Sequence, residues 1–103
     1  MKVKWTKHAK GQQKQIADYI RTGFGISSAR KFKQEVERTT SLLGLHPNMG
    51  SIDPLYADRP IAYRSIIVSG LSKLVYRIDD DAIRIVGFWD CRQEPQSQAA
   101  QTE

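Results

Sequence analysis

Short runs of β-formers flank two long segments in which apolar positions recur with helical spacing. Lys2 to Trp5 predicts a first strand, and Thr6 follows it as an N-cap whose hydroxyl can accept from an orphan backbone N–H. The spacing then predicts a helix from Lys7 to about Thr22. Ala9, Ile16 and Ile20 fall on one side of it, while Lys7, Lys10, Lys14 and Arg21 fall on the other within a stripe about 60° wide. Gly23 and Gly25 supply the stop. Ser27 or Ser28 is the expected cap of a second helix reaching Leu43 or Leu45. On that helix Ala29, Phe32, Val36, Thr39, Thr40 and Leu43 share a face, with Gly44, His46 and Pro47 at its end. The short Gly-containing link makes the pair an antiparallel hairpin.

Residues 48 to 60 contain Gly50, Pro54 and Pro60 and predict a loop. Three runs of β-formers follow, Ile61 to Val68, Lys73 to Ile78 and Ala82 to Trp89. They are separated by a Ser/Gly turn (Ser69 to Ser72) and an acidic turn (Asp79 to Asp81), so they form an antiparallel meander. Strict alternation puts Ile83, Ile85, Gly87 and Trp89 on one face of the last strand, and Arg84, Val86, Phe88 and Asp90 on the other. Neither face is wholly polar, so part of each is expected to be covered. The predicted architecture is α+β in two layers: an N-terminal strand, an antiparallel helix hairpin and a three-stranded antiparallel meander, the helices on one sheet face. If the first strand joins the sheet, it has four strands and one open face. Residues 1–93 are read as one domain. Residues 94–103 are polar and are expected to be a disordered tail.

A length of 103 residues fits a single domain with a modest core. Its single cysteine, Cys91, excludes an internal disulfide and fits a reducing, cytoplasmic compartment; no apolar run suggests a signal peptide or a membrane span. The net charge is +5, and it is unevenly spread. Residues 1–33 hold nine Lys/Arg and a single acid, Asp18, whereas residues 34–92 hold seven bases and eight acids. Such asymmetry favours an anionic partner, either nucleic acid or an acidic protein segment.

Few residues have metal or nucleophile chemistry. His8 and His46 flank helix ends, where interaction with the helix terminus is the expected role. Cys91 reads as a small buried hydrophobe, and consecutive Asp79, Asp80 and Asp81 as a solvated turn rather than a metal cluster. Phe88 and Trp89 point to opposite faces, at least one of them into the core. No zinc spacing, phosphate loop or nucleophile elbow is present, so neither a metal nor a cofactor is expected.

Four stretches together resemble the RelE/ParE superfamily of type II toxin–antitoxin toxins: WTKHAKGQQKQIADYI (Trp5 to Ile20), PNMG (Pro47 to Gly50), YRSIIVSGLSKLVYRIDDDAIRI (Tyr63 to Ile85) and FWDCRQ (Phe88 to Gln93). The resemblance spans residues 2 to 93. It implies a growth-inhibiting toxin whose partner is a cognate antitoxin, and two targets are open within the superfamily. RelE-like members cleave mRNA on the ribosome; ParE-like members act on DNA gyrase. In the nuclease reading Arg92, Lys73 and Arg64 would be catalytic, gathered on one cationic surface of the sheet. The late Tyr or His usual in RelE-like enzymes is absent, because nothing after Arg92 is aromatic or imidazole. A proton-transfer group of that kind contributes about 10²–10⁴ in rate. The ParE-like reading, favoured by this absence and by PNMG, needs a binding surface instead, and the stripe Lys7, Lys10, Lys14 and Arg21 is the candidate. An inactive relic that only binds antitoxin is the remaining alternative.

Overall fold

The computed structural model describes residues 1–70 and 72–90. Strand β1 (Lys2–Trp5) leads into helices α1 (Lys7–Phe24) and α2 (Ile26–Leu45), a two-residue strand β2 (Ser51–Ile52) and a 3-10 turn at Pro54–Tyr56. The meander β3 (Tyr63–Val68), β4 (Ser72–Asp79) and β5 (Ala82–Asp90) completes the fold. The sheet has five strands in the order β1-β5-β4-β3-β2. It is one strand larger than expected, because Ser51 and Ile52 within the predicted loop pair with Ser65 and Arg64. The meander is antiparallel as read, and β1 runs parallel to β5. The parallel pairing follows from the hairpin: α1 and α2 carry the chain away and back, then the meander ends beside its beginning.

The helix boundaries move for local reasons. Thr6 accepts from the Ala9 N–H at 3.1 Å, as a cap should. Helix α1 continues through Gly23 and stops only at Gly25, whose φ of 99° turns the chain in a single residue. Helix α2 therefore begins at Ile26, and Ser27 and Ser28 lie inside it rather than capping it; the Ser28 hydroxyl donates back to the Phe24 carbonyl. Gly44 is also helical, and the stop comes at His46. A Cβ on Gly44 would lie 3.0 Å from the Met1 carbonyl oxygen, so glycine lets β1 approach α2 here. The N-terminal ammonium donates to the Gly44 carbonyl at 2.8 Å.

The main core lies between the hairpin and the sheet. Ala9, Phe32, Val36, Leu43, Leu74, Tyr76, Ile83, Ile85 and Phe88 are buried there. Strict alternation in β5 fails at one place. Gly87 pairs with Val75 and Ile85 with Tyr76, leaving Val86 as the extra residue of a β-bulge. The bulge turns Phe88 toward the helices, alongside Ile83 and Ile85, and sends Trp89 to the opposite face. Beyond it, β1 no longer follows β5: Thr6 donates to the Ile85 carbonyl, and Gln12 of α1 reaches across to accept from the Phe88 N–H at 2.9 Å. The edge of β5 is thus satisfied first by a strand and then by a helix side chain.

The outer sheet face is not left open. Residues 53–60 fold over it, and Tyr56, Tyr63, Val75, Val86 and Trp89 form a second buried cluster, with Leu55 packed against it. Tyr56 and Tyr63 stack at 5.1 Å, and the Arg59 guanidinium lies 5.3 Å from the Tyr63 ring centre. Cys91, Arg92 and the predicted tail lie outside the described residues.

Candidate functional site

Arg64 and Lys73 occupy neighbouring strands, but their register separates them. Arg64 pairs with Tyr76, whose side chain faces the helices; Lys73 pairs with Ile67 and Trp89, on the outer face. Each is already engaged. The Arg64 guanidinium donates to the carbonyls of Gly50 at 2.7 Å and Asn48 at 3.4 Å. Lys73 donates to Asp53 at 2.9 Å, with side chains 13% and 5% exposed. Burial alone would raise the Asp53 pKa. The Lys73 ammonium and the Leu55 N–H, both bonded to the carboxylate, outweigh that and hold it below its usual value of 3.8. The expected common surface of Arg64 and Lys73 does not form, and Arg92 lies outside the described residues.

Arg64 instead belongs to the seat of the PNMG segment. The Tyr76 hydroxyl donates to the Pro47 carbonyl at 2.7 Å and accepts from the Gly50 N–H at 3.0 Å. A Cβ on Gly50 would come within 2.8 Å of the Tyr76 ring and 3.0 Å of Ile66. Glycine is needed because the loop backbone lies directly on a buried ring. Burial pushes the Tyr76 phenol above its usual value of 10.0, so it remains a neutral donor.

The remaining cations of the meander are likewise engaged. Arg77 and Arg84 both bond Asp79, at 3.0 and 2.9 Å, and Arg77 also donates to the Tyr63 hydroxyl. Asp79 is therefore a shared counter-ion and not a freely solvated turn residue. Burial tends to raise its pKa, but the two guanidiniums hold it below 3.8. His8 lies at the start of α1 with its ring edge toward Trp89, centroids 6.1 Å apart; His46 caps the end of α2.

The basic stripe on α1 differs from these pairs in setting. Lys7, Lys10, Lys14 and Arg21 are all exposed on α1. Lys14 and Arg21 face Lys33 of α2 across a shallow interhelix groove of about 270 Å³, which also contains Asp18. Arg21 and Asp18 approach to 3.6 Å with both side chains more than half exposed, a contact of little energetic weight.

A second groove was not anticipated from the sequence. Ile16, Tyr19, Ile20 and Phe24 of α1, Phe32 of α2, and Ser69, Ser72 and Asp90 of the sheet line a cavity of about 360 Å³. Tyr19 is 60% and Phe24 69% exposed, and their rings meet edge to face at 6.4 Å. A sequence signal existed: Tyr19 at i+3 from Ile16 and Phe24 at i+4 from Ile20 flank the apolar stripe on its two sides and widen that face beyond what α1 buries.

Comparison with known proteins bears on what these surfaces serve. No curated protein sequence matches the chain. Among solved structures, a chain of the chromosomal ParDE TA system from P. aeruginosa is similar in fold, with a TM-score of 0.71 at 22% identity over 87% of this chain and 95% of that one. Residues 3–95 match the family described as the ParE toxin of type II toxin-antitoxin system, parDE. Spanning nearly the whole fold just described, that match shows that the chain belongs to the ParE toxin family.

Proposed function

We propose that this ParE-family toxin acts on DNA gyrase and is held inactive by its cognate antitoxin at the apolar groove. The observation that carries the target is the state of the meander's cations. Arg64 is held by loop carbonyls and Lys73 is paired with Asp53, on opposite sheet faces, so the two do not converge on one phosphorane. Phosphoryl-transfer chemistry needs cations converging on one developing charge, and a proton donor for the leaving oxygen. Residues 93–103 contain neither His nor Tyr. A binding mode of inhibition has no such requirement.

The antitoxin follows from membership of a toxin–antitoxin family. The groove of Ile16, Tyr19, Ile20, Phe24 and Phe32 suits the apolar face of an amphipathic segment, and the two exposed rings supply anchors of the kind that dominate such interfaces. Lys31 also lines this groove and suits an acidic residue on that segment.

The test is purified chain incubated with gyrase, ATP and plasmid. The expected outcome is protein-linked, cleaved plasmid that accumulates with toxin dose and disappears on adding antitoxin. Undisturbed supercoiling at saturating toxin, together with mRNA cuts inside translated codons after induction, would replace this reading with the ribosomal one.

A further inference from the structure

The cations of this protein divide into two populations. From Arg38 onward, every cation among the described residues is engaged by a carboxylate, a carbonyl or an aromatic ring. Before it, Lys7, Lys10 and Lys14 of α1 and Arg30, Lys31 and Lys33 of α2 are exposed and make no ion pair among the described residues. Lys2 and Lys4 on the edge strand β1 are exposed in the same way. The excess charge of the chain is therefore concentrated on the hairpin.

We propose that the part of this unpaired set centred on Lys10, Lys14 and Lys33, on the side of the hairpin away from Lys31 and the apolar groove it lines, is a sequence-independent binding surface for the phosphate backbone of duplex DNA. In the setting of the gyrase reading, on which this inference rests, that duplex is the DNA segment held by the enzyme. Spacing suits the ligand: on α1 the unpaired Lys7 to Lys14 spans roughly 10 Å of helix axis, the length over which one DNA strand presents about three phosphates. Lys14 and Lys33 come from different helices yet line one groove, which gives the stripe width as well as length. Side-chain chemistry separates DNA from an acidic protein. The stripe is lysine-rich, with Gln13 in the same groove, and the exposed aromatics Tyr19 and Phe24 line the other groove. Protein interfaces are depleted in lysine and centred on aromatic anchors, whereas backbone-directed DNA contacts use lysine and polar amides.

The experiment measures binding of the full chain to a fluorescein-labelled 30-base-pair duplex by anisotropy, without gyrase, across a salt series. The expected result is affinity independent of duplex sequence, with log Kd rising against log salt at a slope of about 3–4, as for three or four neutralised phosphates. Lys10→Gln with Lys14→Gln should weaken binding at least tenfold and lower the slope by about 2. Arg38→Gln with Arg84→Gln removes the same net charge from engaged positions and should change Kd less than twofold. Equal losses in the two variants, or no saturable binding at low salt, would overturn the proposal. Polyglutamate competing as well as the duplex would assign the surface to an acidic protein instead. Gyrase assays separate the two readings. DNA binding without gyrase inhibition removes the target and leaves this surface standing; gyrase inhibition without DNA binding removes this surface alone.

Discussion

Gly50 and Asp53 show how single residues hold the loop between α2 and the meander. At Gly50 the constraint is space: an added methyl would press on the Tyr76 ring at 2.8 Å, and that ring is buried in the core. Gly50→Ala should cost about 1–3 kcal/mol, as overpacking does, and lower Tm by about 4–8 °C per kcal/mol in a domain of this size; a Tm unchanged by calorimetry would contradict this contact. At Asp53 the constraint is charge. Lys73→Met leaves a 5% exposed carboxylate without its cation and should destabilise by about 3 kcal/mol. Asp53 and Asp79 both have pKa values held below 3.8 in the fold. Their contribution to stability is therefore complete above that value and is lost as pH falls through the lower folded-state pKa. Denaturant titrations should show stability nearly flat from neutral pH to about 5 and falling below about 4. In Asp53→Asn the acid fall should be shallower. The residues that make PNMG and Arg64 recognisable in sequence were legible as markers. Their physical task was not, because Tyr76 stands 26 positions from Gly50.

Among elements, α1 was the most legible, since its start has a chemical signature and its apolar face a period. Thr6→Ala should remove the bond to the Ala9 N–H and cost about 1 kcal/mol. Gly25→Ala should also destabilise, because φ of 99° is strained for any residue with a Cβ, although nothing crowds the site. Urea denaturation of the two variants checks both; an unaffected midpoint in Gly25→Ala would mean that the one-residue turn is not held as described. Beyond the helix boundaries, the elements that differ from the sequence reading are β2 and β5. A two-residue strand has no periodicity to detect, and it exists only because β3 offers an edge beside it. A bulge is invisible to an alternation rule that assumes every residue has a partner. One extra residue at Val86 was enough to exchange the faces of Phe88 and Trp89.

For the whole molecule, the lysine-lined groove and the groove of exposed aromatic rings are distinct, and each implies its own partner. Tyr19→Ser with Phe24→Ser should leave Tm nearly unchanged, because both rings are mostly exposed. The pair should weaken antitoxin binding about 100-fold or more by titration calorimetry, as loss of two interface anchors does. Antitoxin affinity equal to that of the native chain would move the antitoxin off this groove. Among the described residues, no helix is long and apolar enough to cross a membrane.

By itself, the sequence determined the kinds of element, their order, the two-layer packing and membership of the superfamily. The elements, their order and their packing follow from local period, capping and turn chemistry, which act over a few neighbouring residues; the superfamily was legible as a resemblance of four stretches. Only the tertiary structure decided which cations are available. Asp53 meets Lys73 and loop carbonyls claim Arg64 through chain reversals that no local pattern encodes, and Asp79 joins two arginines across the hairpin turn between adjacent strands. Equal charges along the chain thus became unequal in the fold: those of the meander were engaged by neighbours in space, and most of those of the hairpin were left facing water.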